Sequence, residues 1–223
     1  MQARTLLALG ALALASTSTL HAQTTDVQFG AKAGMSLAVL DGSLNTSPQF
    51  KPGLAVGGFL RWRPSARVAI QPELVFSQQG ATNTGVATGH SYENKVKLNY
   101  LNVPVLLKVY LGDVVNVQLG PQFGLLLSGQ HTGQVGYISS TTGNNGYVLV
   151  DNDVKKDFGN DVALCGGVGV DLKNGLLFSA RLNYGVTDIN NNDADKALRQ
   201  RLNIGGIHNR SFEFALGYAF GGK

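Results

Sequence analysis

The chain has 223 residues, a net charge of +4, 29 glycines and a single cysteine, Cys165. One cysteine excludes an internal disulfide framework. The basic residues are scattered, with no run of five like charges, so no nucleic-acid footprint is present and no nucleic-acid partner is expected. After residue 22 there is no stretch of 18 consecutive apolar residues, which excludes a transmembrane helix and leaves a closed barrel as the one way into a bilayer.

The N-terminus reads as a secretory signal peptide. Arg4 supplies a positive charge, residues 6–15 form a short apolar run, residues 16–21 turn polar, and Ala22 precedes a plausible cleavage point at Gln23. The apolar run is too short to span roughly 30 Å of hydrocarbon, and no cysteine at the cleavage point offers a lipid anchor. The expected organisation is a signal peptide over 1–22 and one barrel domain over 23–223.

Eight segments then alternate apolar and polar or small side chains with period two, the mark of strands with two unlike faces. They cover residues 27–37, 53–62, 68–77, 101–110, 115–125, 162–172, 176–186 and 211–220. The last is the clearest: Phe212, Phe214, Leu216, Tyr218 and Phe220 alternate with Ser211, Glu213, Ala215, Gly217 and Ala219. Connections alternate in length. Residues 63–67, 111–113 and 173–175 are short, the last an Asn-Gly hairpin turn. Residues 41–51, 80–98, 128–161 and 187–209 are long and rich in Gly, Asn and Thr. The expected fold is all-β, an eight-stranded antiparallel up-and-down transmembrane β-barrel in the cell outer membrane. Short turns and both termini would face the periplasm, and long loops the outside.

The charges assign the faces. Lys32, Arg61, Glu73, Lys108, Asp171, Arg181 and Glu213 all lie opposite the apolar stripe. On a lipid face near the midplane each would cost roughly 2–4 kcal/mol. In a narrow eight-stranded lumen, four cations and three anions would be forced together. The expected interior network draws Arg181 and Lys108 to Glu73, Asp171 or Glu213. A soluble barrel would invert these faces. The unbroken apolar stripe, the small residues opposite it, and aromatics near strand ends (Phe29, Trp62, Phe76, Tyr184, Phe212, Phe220) favour the membrane. Pro72, Pro104 and Pro121 fall inside strand runs, where each removes a ladder donor.

Candidate chemistry is sparse. His90, His131 and His208 are expected in long loops as polar residues, without ligand spacing. Asp188, Asn190, Asn192 and Asp193 resemble the start of a calcium loop, which fails where Asp193 replaces Gly and Arg199 replaces Glu. Cys165 is expected to face the lumen without a partner. No catalytic, cofactor-binding or metal residue is assigned, and neither cofactor nor enzymatic activity is expected.

Several stretches carry a resemblance to a family. They are Gly30 to Gly34, Gln71-Pro-Glu-Leu-Val-Phe-Ser-Gln-Gln-Gly80, Leu98-Asn-Tyr-Leu-Asn-Val-Pro-Val-Leu-Leu-Lys108, Gly120-Pro-Gln-Phe-Gly124, Arg181 to Ile189, and Gly217-Tyr-Ala-Phe220. The chain resembles the eight-stranded outer-membrane β-barrel domain proteins labelled PorT-like or "porin family". The resemblance implies fold and location, and places the three prolines inside family-like motifs. It also implies outer-membrane lipids and the barrel-assembly machinery as partners. Phe212, Phe214, Leu216, Tyr218 and Phe220 look like a recognition signal for that machinery, here followed by Gly221-Gly222-Lys223. The expected role is structural, adhesive or in envelope assembly, acting through external loops whose partners the sequence does not name. A membrane-embedded enzyme at the outer face and a narrow conduit or small-ligand binder are the alternatives.

Overall fold

The computed structural model describes residues 26–42, 48–87, 90–138 and 145–221. The expected signal peptide lies outside them.

Among the described residues ten strands form: β1 (Asp26–Asp41), β2 (Pro48–Gln49), β3 (Lys51–Ser65), β4 (Val68–Ala87), β5 (His90–Leu111), β6 (Val115–Ile138), β7 (Asn145–Asp153), β8 (Asp161–Asp171), β9 (Leu176–Gly185) and β10 (His208–Phe220). Eight of them close a ring by antiparallel pairing in the order β1-β3-β4-β5-β6-β8-β9-β10 and back to β1. This is the up-and-down barrel read from the alternation. β2 adds a two-residue pairing to β4, and β7 pairs along β6.

The faces follow from burial. Along β10, residues from Ser211 to Phe220 alternate strictly between buried and exposed. Phe214 and Leu216 are 47% and 51% exposed, while Glu213 is 3% exposed. Phobic side chains turned out and charges turned in are the opposite of what water imposes and what lipid requires.

The long connections correct the sequence reading. Residues 80–98 were expected as a loop, yet β4 and β5 stay paired out to Ala87 and His90. Residues 128–161 hold the β6–β7 hairpin. Residues 187–209 hold a helix, α1 (Asp193–Leu202). β6 therefore runs 24 residues against 11 for β8. A tilted span needs about 9–11 residues, so β8 and β9 match a bilayer and β4, β5 and β6 overshoot it on one side of the ring. The three histidines, expected in loops, lie in β5, β6 and β10.

The calcium-like stretch also has a different use. Asn192 caps α1 by accepting from Asp195 N (3.1 Å), and Asp188 accepts from Asn190 N and Ile207 N. Arg199 is buried. It donates to the carbonyls of Gly42 (2.7 Å) and Gly205 (2.9 Å) and pairs with Asp195, so one side chain ties the helix to the end of β1. Arg199→Leu leaves two carbonyls without their donor, each worth about 1–3 kcal/mol when buried. Limited proteolysis should then cut between residues 193 and 205 at least several-fold faster, with the barrel itself intact.

The prolines sit at breaks in the ladders. Pairing of β4 with β5 is interrupted between Pro72–Val105 and Val75–Asn102, and that of β5 with β6 between Pro104–Gln122 and Leu107–Leu119. A missing N–H accounts for such gaps. At the Lys173-Asn174-Gly175 turn, Gly175 has φ +93°, a left-handed conformation that suits glycine.

Candidate functional site

Inward side chains stack in layers from the end with the short turns and termini, here the terminal end, to the end bearing the long hairpins.

The middle layer is a balanced four-charge cluster. Lys32 Nζ lies 2.6 Å from Glu73 Oε2 and donates to Glu213 Oε1 at 2.8 Å. Arg181 grips Glu73 with both terminal nitrogens, Nη1 to Oε2 at 2.9 Å and Nη2 to Oε1 at 3.0 Å, and approaches Glu213 at 3.9 Å. The parallel two-bond fork is the strongest arrangement open to this pair. All four residues are 3% exposed.

The next layer toward the terminal end centres on Asp171. It accepts from Lys108 Nζ (2.9 Å), Tyr110 OH (2.7 Å) and Asn116 Nδ2 (3.1 Å), and Arg61 Nη2 stands 3.3 Å away. Gln71 bridges the layers. Its oxygen accepts from Arg61 Nε (2.8 Å) and Lys108 Nζ (3.3 Å), and its amide donates to Glu73 (2.8 Å). Gln28 accepts from Arg61 Nη1 at 3.2 Å. Phe59 lies beneath the Arg61 guanidinium, 5.1 Å from ring centroid to carbon, and packs with Leu177 and Ala219.

All seven charged residues singled out in the sequence thus meet in the interior, as two clusters joined by a glutamine. Gln28, Gln71, Tyr110 and Asn116 were missed. They lie on the charge-bearing face, where counting formal charges alone overlooks them.

Above the middle layer the lining is polar, mostly amides and hydroxyls, with the buried carboxylate of Asp161 accepting from Thr187 Oγ1 at 3.0 Å. Asn183 donates to Ser211, and Asn209 to Gln79. Cys165, expected without a partner, sits 3.5 Å from Gln122 Oε1. An apolar cap follows, of Leu40, Ala81, Leu98, Tyr100, Leu126 and Ile189, with Phe158 and Ile207 packed against it. Tyr100 OH donates to Gly159 O at 2.9 Å, fixing the segment after β7 over the mouth. The terminal rim instead carries an exposed pair, Lys173 to Asp113 at 2.9 Å. The lysine's hydrogen bond, and then its charge, hold the Asp113 carboxyl below its usual range.

The expected assembly signal forms the outer face of β10. Phe212, Phe214, Leu216, Tyr218 and Phe220 are each 43–51% exposed. Phe29 stacks on Phe220 at 5.7 Å across the β1–β10 seam, and Tyr218 meets Phe220 edge-on at 5.0 Å. The histidines lie on three different strands, and His208 Nδ1 contacts Thr187 O at 2.9 Å. Among the described residues no group of three or more His, Cys, Asp or Glu is placed to hold a metal ion.

A closed eight-stranded ring, apolar outside and ionic inside, defines a membrane β-barrel with a side-chain-filled lumen. The sequence agrees: residues 21–191 match the model of the outer membrane protein beta-barrel domain, and the chain belongs to that family. Among solved structures it is similar to Neisserial surface protein A, with 10% identity over 86% of this chain and 97% of that one, and a TM-score of 0.50. It is also similar to Acinetobacter baumannii CarO (11% identity, 84% of this chain and 96% of that one, TM-score 0.43). A third similar structure is the attachment invasion locus protein Ail of Yersinia pestis (12% identity, 87% and 99%, TM-score 0.42). Among curated proteins none matches the sequence.

Proposed function

We propose that this chain is a small, non-catalytic outer-membrane protein that makes contacts outside the cell through a projecting β-wall rather than moving solutes through its lumen. In this reading residues 1–22 are a signal peptide, the PorT-like resemblance holds within the broader family, and the barrel-assembly machinery receives the β10 stripe. The short turns and both termini face the periplasm, so the overshooting parts of β4, β5 and β6, with β7, stand in the external medium.

The observation that carries the reading is this lopsided height. The excess of β6 over β8 is 13 residues, the difference of 24 and 11, or about 40 Å of extended strand. β7 is paired on the β6 side only among the described residues, and it carries Leu149 at 79% exposure, away from the lipid belt. A free edge with exposed apolar side chains is a ready template for a partner strand. The ionic layers and the apolar cap oppose free passage through the barrel.

The test compares cells displaying the full chain with cells displaying a variant that lacks residues 132–151. Both should show the heat-modifiable gel mobility of a folded barrel. Adhesion to neighbouring cells and matrix-coated surfaces should fall several-fold in the variant, and the purified chain should be silent in planar bilayers. Unchanged adhesion, or sustained conductance steps, would overturn the reading.

A further inference from the structure

We propose that the terminal mouth of the barrel is a binding site for a small oxyanion group, a phosphate or a carboxylate, held by Arg61 and Arg63.

The two interior layers differ in charge balance. In the middle layer Lys32 and Arg181 meet Glu73 and Glu213, two charges against two. In the layer nearer the terminal end Arg61 and Lys108 share Asp171 alone. That carboxylate already accepts from Lys108, Tyr110 and Asn116. Arg61 Nη2 sits 3.3 Å from it yet has no hydrogen-bond acceptor among the described residues, although the side chain is only 3% exposed. The rest of the guanidinium is held, Nε by Gln71 and Nη1 by Gln28, so the deficit is this one nitrogen. A buried charged donor without an acceptor is costly, and an added anion removes that cost.

The imbalance lies beside open space. A cavity of about 680 Å³ at this mouth is lined by Arg61, Arg63, Lys173, Asp113 and Asp171, with Gln28 also on its wall. Arg63 is the next inward position of β3 after Arg61. Its guanidinium rests 4.2 Å over the Tyr110 ring and donates to Ala66 O at 3.1 Å. Those contacts pin the group flat at the entrance and leave its further donors to the cavity, since a guanidinium carries five N–H bonds. Lys173 is spent on Asp113 at the rim. Two arginines with forked donors, one deep and one at the entrance, fit a phosphate or carboxylate better than a point cation would. At the other end the apolar cap closes the lumen, so an anion would enter and leave by the terminal mouth.

The full chain in zwitterionic micelles is titrated with inorganic phosphate, and separately with acetate, at constant ionic strength. Phosphorus line width and the heat-modification temperature are read for the phosphate series, and the temperature alone for acetate. Phosphate or acetate should act saturably. Arg63→Gln should weaken the effect roughly tenfold, as expected for losing one charged hydrogen bond, and Lys97→Gln on the long-hairpin side should not. Arg61→Gln should abolish it; Arg63→Gln keeps the test decisive if that variant does not fold. Repeating the titration in nanodiscs separates the sources. Competition by phosphatidylglycerol, absent with phosphatidylcholine, assigns the site to lipid headgroups, and equal binding in both assigns it to a soluble anion. A response that never saturates, or one unchanged in Arg63→Gln, would overturn the proposal.

Discussion

Arg181→Met should unfold in detergent about 3–5 kcal/mol more easily than the parent, the usual cost of removing one member of a buried ion pair. The change removes the fork on Glu73 and leaves Glu73 and Glu213 sharing Lys32 alone. The companion Glu73→Leu should cost a similar amount, because Lys32 and Arg181 then have Glu213 only. The double variant should recover a large part of the loss, since two apolar side chains replace a pair whose desolvation was itself expensive. Urea titration of the heat-modifiable form measures all three. If the single variants behave like Lys173→Met, at the exposed rim pair, the interior network contributes no stability and the mechanism fails.

Leu216→Arg and Leu149→Arg should part company. Both leucines are exposed, at 51% and 79%. Leu216 lies midway along β10 among the aromatic stripe, where arginine in lipid costs roughly 2–4 kcal/mol. Leu149 lies on β7, opposite Gln134 and far along the hairpin from the belt, where a surface change stays within about 0.5 kcal/mol. In vesicles the first variant should insert poorly and the second normally. Equal behaviour would mean that the apolar face of β10 does not meet lipid.

Legibility in the sequence followed the medium on each side of a strand. β10 was plain because lipid and lumen ask for opposite side chains, and so every second residue declares itself. The outer part of β4 was not: Ala81, Asn83 and Gly85 alternate with Thr82 and Thr84, small or polar on both sides. Where a strand leaves the bilayer the period-two signal fades although the ladder continues. β7, with Tyr147 to Val150 consecutive and then Asp151 to Asp153, shows no alternation for the same reason. The helix hid behind its polarity. Of its residues only Arg199 is buried, so no apolar stripe marks it, and Asn192 at its cap read as part of a cation loop. Within the lumen the members were legible, since lipid rejects charge. Their pairing was not, because it depends on how far each strand is staggered against the next. The stagger is set by closure of the ring and by ladder breaks at Pro72 and Pro104, which no single strand encodes.

The β1–β10 seam has a temporal meaning. Its two sides are fastened inside by Lys32 to Glu213, 181 residues apart, and outside by the Phe29–Phe220 stack. Until the last strand has been made, the first has no neighbour on that side, and its bare amides cannot rest in hydrocarbon. Insertion strand by strand is therefore ruled out for the unaided chain. A product truncated before residue 208 would keep most of its hairpins and still lack the one strand that renders the others membrane-compatible, so loss of the C-terminal segment should be as damaging as loss of the whole domain.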